Sequence, residues 1–192
     1  MEKYSIVSKA AQMFIWSLAY RFMCLVVSVA IISVINNKFG IILSQLFCLG
    51  IFLILPYNKM YNLGSKDHNK INYGYIKRDV FRGAKIGCLV AVPYAICGIL
   101  LILARFGVVD FSILQAYRLI NAPYFSLDQI LMPTTLTISE QSLFAVAASV
   151  LTVFTEPVVY GMGYRMGLAR ISFTSETGLY RGNRKEKSTK NV

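Results

Sequence analysis

The amino-acid sequence predicts an all-α membrane protein: a bundle of four transmembrane helices with an additional amphipathic helix at the outer interface. Of its 192 residues, 56% are hydrophobic and 15% are charged, whereas an ordinary soluble domain carries about 25% charged residues. Four long apolar runs alternate with polar segments. The net charge of +11 does not indicate nucleic-acid binding, because the basic residues lie between the apolar runs and not on the face of a soluble fold.

The apolar runs are long enough to cross a bilayer. At about 1.5 Å per helical residue, some 20 residues cover a hydrocarbon core of ~30 Å. The predicted spans are residues 14–35, 40–57, 86–104 and 142–160. The first run continues into Asn36 and Asn37 without a small-residue cleavage site, so we interpret it as a retained span and not as a signal peptide. The third run contains Pro93, which is expected to kink its helix.

Two basic segments follow the second and fourth spans. Residues 58–85 contain seven basic residues and two acidic ones, and we expect a turn-rich loop over residues 62–69 and a short interfacial helix from about 75 to 85. Residues 161–192 also contain seven basic residues and are predicted to form a tail.

The segment 105–140 is predicted to lie on the outer side of the membrane. Asp110 is a candidate N-cap for a helix whose apolar residues point to one side, a pattern typical of an interfacial helix. These apolar residues are Phe111, Leu114, Tyr117 and Ile120. From Pro123 to Ser139 we expect extended backbone.

The distribution of Lys and Arg predicts the orientation, because cytoplasmic segments of membrane proteins are enriched in both. Seventeen of the twenty basic residues fall in the N-terminal part, in residues 58–85 and in residues 161–192. The other three are Lys38, Arg105 and Arg118. We therefore expect a multi-pass protein of the cell membrane with both termini in the cytoplasm. A fifth span within 105–140 would destroy this asymmetry.

Glu156 is the main candidate functional residue, because a carboxylate inside a membrane span is costly and is normally paired or functional. Thr152 and Ser149 precede it at helical spacing, so one face of the fourth span is small and polar. Arg21 lies on a similar stripe of the first span. Our hypothesis is that Arg21 and Glu156 form an inward ion pair with Gln45 of the second span nearby. The alternative is that Arg21 extends to the lipid headgroups and that Glu156 meets water, since both are predicted near the cytoplasmic ends of their helices.

The sequence offers no recognisable catalytic, cofactor-binding or metal-binding motif. His68 is the only histidine, and Asp110, Asp128 and Glu140 are predicted on the outer side, away from Glu156. The four cysteines lie in apolar runs without a CxxC pair and are expected to be small buried residues. They are Cys24, Cys48, Cys88 and Cys97. Gly83 and Gly87, four residues apart, would permit close helix packing.

These observations leave two functional classes. The first is a non-enzymatic subunit or accessory protein of a membrane complex, and the alternative is a small oligomeric transporter or channel that uses Glu156. No cofactor is expected. The expected partners are the lipid bilayer, another membrane protein or a second copy of the chain, and anionic lipid headgroups at the basic loop and tail, but not nucleic acid. The abundance of Ile, Asn, Lys and Tyr indicates a bacterial origin.

Overall fold

A computed structural model describes residues 6–35, 37–109, 113–133 and 135–170, and all regular structure within these ranges is helical. The α-helices are α1 (Ile6–Val34), α2 (Lys38–Asn72), α3 (Arg82–Arg105), α4 (Ile113–Ile120), α5 (Phe125–Leu131), α6 (Leu143–Leu151) and α7 (Thr155–Ala169). Short 3₁₀ turns occupy Ala122–Tyr124, Ile138–Glu140 and Thr152–Phe154.

Four helical segments are long and apolar enough to cross a membrane, as the sequence predicts. Three are the single helices α1, α2 and α3, and the fourth is the continuous segment Leu143–Ala169, in which a 3₁₀ turn joins α6 to α7. Many of their large apolar side chains face outward, which is the expected surface for contact with lipid.

The second span is much longer than predicted. The helix α2 runs to Asn72, so the expected loop over residues 62–69 is wrong. The buried positions recur along α2 about every four residues, through Met60 and Gly64 to Asp67, and this stripe packs against α7. Tertiary packing therefore makes helical a segment whose turn-forming residues suggest a loop. The interfacial helix expected from 75 to 85 is wrong as well, because residues 75–81 are irregular and α3 begins at Arg82.

The fourth span also continues beyond its predicted end. The helix α7 reaches Ala169, so the first nine residues of the predicted tail are helical. Two of its glycines face α2: a Cβ atom at Gly163 would lie 2.6 Å from the carbonyl oxygen of Tyr57, and one at Gly167 would collide with the carbonyl oxygen of Tyr61. Glycine is needed here for close approach of two helices and does not end the helix. Residues 171–192 of the predicted tail lie outside the described residues.

The helix α7 packs between α2 and α3, and α1 packs against both α2 and α3. Gly83 and Gly87 of α3 do permit close packing, since a Cβ atom at Gly87 would lie 2.7 Å from the Cα atom of Pro157. This contact joins two helices of the same chain. A core of apolar and tyrosine side chains fills the space among the helices and includes Met60, Ile86, Val90, Tyr94, Tyr160 and Tyr164.

The segment between α3 and α6 packs against the four long helices. In α4, Tyr117 and Arg118 are buried, whereas Ile120, predicted on the apolar side, is 37% exposed. Asp110 and Phe111 lie outside the described residues. The stretch after Pro123 is not extended as expected, because it forms a 3₁₀ turn and α5, which contact α1, α2 and α6. Hydrogen bonds from the side chain of Gln45 to the backbone of this stretch explain the difference.

Candidate functional site

The structure brings Arg21 and Glu156 together. An Nη2 atom of Arg21 lies 2.9 Å from Oε1 of Glu156, and the two side chains are 7% and 2% exposed. Both residues lie near the middle of their helical segments, so the expectation that they sit near the helix ends is wrong. This central position excludes the alternative in which the guanidinium and the carboxylate simply reach headgroups and water.

Further contacts hold the ion pair in place. Ser17 donates to Oε1 of Glu156 at 2.6 Å, and Nη1 of Arg21 donates to the backbone carbonyl of Ile120 at 2.8 Å. The guanidinium also lies over the ring of Tyr94, 3.5 Å from its centroid. The other carboxylate oxygen of Glu156, Oε2, is buried and has no hydrogen-bond partner among the described residues. Oε1 of Glu156 therefore has two hydrogen-bond donors, whereas Oε2 is an acceptor without a partner among the described residues.

Gln45 does not join the ion pair. Its amide nitrogen donates to the carbonyl oxygen of Pro123 at 3.0 Å, and its amide oxygen accepts from the backbone N–H of Leu127 at 2.9 Å. These are the backbone groups at the junction between the 3₁₀ turn and α5. Gln45 therefore positions the segment between α3 and α6, which we call the inserted segment. This segment in turn supplies the Ile120 carbonyl to Arg21.

Ser149 and Thr152 belong to a second polar cluster, centred on Asp128. Ser149 donates to Oδ1 of Asp128 at 2.6 Å, and the amide of Asn121 donates to Oδ2 at 2.9 Å. Thr152 donates to the amide oxygen of Asn121 at 3.3 Å. Asp128 is fully buried, and this desolvation raises its pKa to about 6.

Sequence reasoning missed this cluster because it assigned Asp128 to the outer side. A signal was present: Asn121 and Asp128 are seven residues apart, a spacing that places two polar groups on one face of a helical segment. Arg118 was missed for the same reason. It is 3% exposed, and its Nε and Nη2 atoms have no hydrogen-bond partner among the described residues. Burial lowers the pKa of Arg118, and the negative charge of Asp128 opposes this lowering.

Among the described residues, the bundle interior thus contains three cations and three carboxylates, each cation near a carboxylate: Arg21 with Glu156, Arg82 with Asp67, and Arg118 with Asp128. No group of three or more His, Cys, Asp or Glu residues is placed to hold a metal within the part of the chain that the structure describes. Cys24 and Cys48 are buried, and each thiol donates to the backbone carbonyl of the other residue. The prediction of burial is wrong for Cys88, which is exposed, and Cys97 is half-buried.

The arrangement can fix the relative positions of α1, α7 and the inserted segment, and it offers unfilled hydrogen-bonding capacity at Glu156 and Arg118. A comparison of the chain with protein-family models, with curated proteins and with solved structures finds no match.

Proposed function

We propose that this protein is a non-enzymatic subunit or accessory protein of a membrane complex. The observation that carries the proposal is the closed state of the ion pair: Arg21 and Glu156 are less than 10% exposed and bind each other, Ser17 and a backbone carbonyl. A carboxylate that moves ions or substrates must be reached from water, whereas this one is used in joining helices. A buried ion pair of this kind acts best as a device that specifies which helix faces meet.

A groove on the outer face of α2 is the surface through which we expect association. The groove is a shallow, open depression of about 590 Å³, and its described lining residues all belong to α2: Leu43, Leu46, Phe47, Gly50, Ile51, Ile54 and Leu55. A Cβ atom at Gly50 would have nothing within 4 Å, so the backbone of α2 is accessible there. Small residues at such a position let a second transmembrane helix approach closely. The occupant that we propose is an apolar transmembrane helix of a partner subunit.

We place the protein in a bacterial cell membrane with both termini in the cytoplasm. The excess of Lys and Arg in the terminal segments and in residues 58–85 supports this orientation. It is also supported by the cleft that Lys9 of α1 and Lys70 of α2 line together, since the beginning of α1 and the end of α2 then lie at one end of the bundle.

The test is site-specific photo-crosslinking in the native membrane. A photoreactive residue is placed at Phe47 in the groove, and the matched control places it at Leu89 of α3, since these side chains are 55% and 44% exposed. We expect one defined protein adduct from position 47, lost when Gly50→Trp fills the groove, and lipid adducts alone from position 89. Lipid adducts alone from both positions would refute the proposed association, and an adduct of twice the mass would identify a second copy as the partner.

A transporter is the second candidate, favoured by one feature of the fourth span. The 3₁₀ turn Thr152–Phe154 interrupts the helical segment directly before Glu156, whose Oε2 atom is unpartnered among the described residues. Interrupted helices beside charged residues near the middle of the membrane are typical of transport sites.

Cysteine labelling separates the two candidates. Thr152→Cys is introduced in a background in which Cys88 and Cys97 are serine, and open membrane fragments, which expose both membrane faces, are treated with a membrane-impermeant maleimide. The subunit proposal predicts no labelling, because Thr152 is only part-exposed and lies beside the closed cluster. Lys77→Cys, in an exposed connection, serves as the fully labelled control. Rapid labelling at position 152 would favour the transporter.

A further inference from the structure

The guanidinium of Arg118 in α4 is buried without a bonded counter-ion. Arg118 is 3% exposed, and its Nε and Nη2 atoms have no hydrogen-bond partner among the described residues. None of the ion pairs in the described part of the chain includes it. A guanidinium stays charged in a protein, and a buried charge is costly unless a hydrogen-bonded counter-ion accompanies it. The fold therefore leaves at Arg118 a positive charge that an anion would satisfy.

The neighbouring carboxylate does not fill this position. Asp128 of α5 acts on Arg118 through its charge, but its two oxygens are already used by other donors. Oδ1 accepts from Ser149 at 2.6 Å, and Oδ2 accepts from the amide of Asn121 at 2.9 Å. A buried water would accept a hydrogen bond from the guanidinium but would bring no negative charge. The donors of Arg118 thus remain open for a ligand that is not part of the described chain.

The two open donors form the edge of the guanidinium that binds a carboxylate best. The Nε–H and Nη2–H groups lie side by side in one plane, so two oxygens of a carboxylate can accept both bonds at once. A phosphate dianion would place two further negative charges beside Asp128, whereas a carboxylate places one. Geometry and charge therefore both favour a carboxylate at this edge.

The helix α4 is a thin cover over Arg118. It has eight residues and packs against α3 and α5. Tyr117 and Arg118 are buried on its inner side, whereas the next residues, Leu119 and Ile120, are 54% and 37% exposed. Exposed apolar side chains beside a buried cation suit a ligand whose charged end enters the bundle and whose apolar part stays in lipid.

We propose that Arg118 is the anchor of a binding site for a carboxylate group. Two sources have this chemistry: an amphiphile of the bilayer, such as a fatty acid, and a small carboxylate dissolved in water. An ionisable residue buried at membrane depth is expected to have a partner, and the described chain supplies none that bonds to these two donors. The site does not depend on the function proposed above.

The test is a titration of the purified full-length protein in detergent at about pH 8. The probes are oleate, acetate and oleyl alcohol, which has the acyl chain of oleate but no charge. Native mass spectrometry counts the retained amphiphile, and the unfolding midpoint reports acetate binding. Arg118→Met removes the charge, and Arg118→Lys keeps the charge but lacks the two parallel donors. The matched control is Arg78→Met, which removes a charge from an exposed position.

The wild type and the Arg78 variant are expected to retain one oleate alike. Arg118→Met should bind oleate at least about tenfold more weakly, with Arg118→Lys in between. Oleate binding that acetate does not displace assigns the site to an amphiphile, whereas saturable binding of acetate assigns it to a soluble carboxylate. Equal oleate binding by the wild type and Arg118→Met, or equal binding of oleate and oleyl alcohol by the wild type, would overturn the proposal.

The unfolding midpoint without ligand separates an open charge from a structural one. At about pH 5, Arg118→Met should unfold at the temperature of the wild type or above it, because a buried charge without a counter-ion destabilises the fold. At this pH Asp128, whose pKa burial raises to about 6, is mostly neutral, so the loss of its attraction to Arg118 costs little. A clearly lower midpoint would show that the guanidinium already has a partner, such as an ordered water, and would also overturn the proposal.

Discussion

Two parts of this bundle are held together by different means. In the first, which we call the glycine half, α7 meets α2 and α3 through Gly64, Gly87, Gly163 and Gly167, and backbone lies against backbone. In the second, which we call the polar half, the end of α4, the 3₁₀ turn that follows it and α5 meet α1, α2 and α6 through side-chain hydrogen bonds from Arg21, Gln45 and Ser149.

The difference shows two solutions to packing helices where apolar burial gives little drive for association. Small residues gain dispersion contacts through close approach, and buried polar groups gain hydrogen bonds that lipid cannot replace. The first solution tolerates no added atoms. The second tolerates changes of shape better but leaves an expensive unpaired group when one partner is removed. The following predictions test this distinction.

The largest effect is expected for Gly64→Leu in the glycine half. A Cβ atom there would collide with the carbonyl oxygen of Tyr164, and backbone cannot yield as a side chain can. We expect a loss of more than about 5 kcal/mol, which is exceptional for one substitution and enough to abolish a monodisperse folded protein in detergent. Gly50→Leu is the control, because its Cβ atom meets nothing and replacement of a helical glycine costs no packing. Similar unfolding midpoints for the two variants would contradict this account of the glycine half.

A smaller but still large effect is expected when the ion pair of the polar half is broken. Glu156→Leu leaves the Arg21 guanidinium buried without its carboxylate, and Arg21→Leu leaves the Glu156 carboxylate buried without its guanidinium. Each should cost about 3–5 kcal/mol, whereas the double variant should cost much less than the sum. Thermal unfolding of the four proteins measures the coupling. Additive losses would show that the two side chains contribute separately.

The Asp128 cluster should give a pH-dependent effect of intermediate size. Burial raises the pKa of Asp128 to about 6, above its ordinary value of 3.8, so the folded protein binds this proton more tightly than the unfolded chain does. The stabilisation is complete below about pH 4 and is lost as the pH rises to about 6. At about 1.4 kcal/mol per pKa unit, the loss is roughly 3 kcal/mol. Unfolding midpoints from pH 4 to pH 7.5 should fall more steeply for the wild type than for Asp128→Asn, and parallel curves would disprove the shift.

The smallest effect is expected at an exposed ion pair that belongs to neither half. Lys85 lies 2.8 Å from Asp79, but their side chains are 55% and 33% exposed. The hydrogen bond from Lys85 lowers the pKa of Asp79, so any stabilisation is present above about pH 4 and is lost as the pH falls further. Lys85→Met should change stability by less than about 1 kcal/mol, an effect that 0.5 M salt would reduce. A larger loss that persists in salt would mean that the connection before α3 contributes to the core.

The features that sequence reasoning predicted correctly depend on composition and on helical spacing. The absence of charge over Ile86–Ala104 and three similar runs indicate membrane-length helices whatever their neighbours are. The stripes that contain Arg21 and Glu156 are also visible, because helical spacing and the cost of a charge in lipid both direct them inward.

The features that sequence reasoning missed depend on contacts between residues that are distant in the chain. Residues 62–69 and Gly163 have the composition of turns and become helical because α2 and α7 cover each other. Asp128 looks like a surface carboxylate until Ser149 and Asn121 are brought to it. The spacing of Asn121 and Asp128 is visible in the sequence, but no local pattern encodes the approach of Ser149 or the packing of α2 against α7. The role of Gln45 as a clamp on the backbone near Pro123 is equally invisible.

The length of α2 has a mechanical consequence. With 35 residues it is about 52 Å long, some 20 Å more than the hydrocarbon core of a bilayer. Pro56 cannot donate a hydrogen bond to the preceding turn, so the helix bends most easily there. The arm beyond Pro56 carries Lys59, Lys66 and Lys70, and the arm before it carries Gln45. Because this arm packs closely against α7 at Gly64, a push on it would move α7 as well, and Pro56 would be the pivot through which the movement reaches the Gln45 clamp.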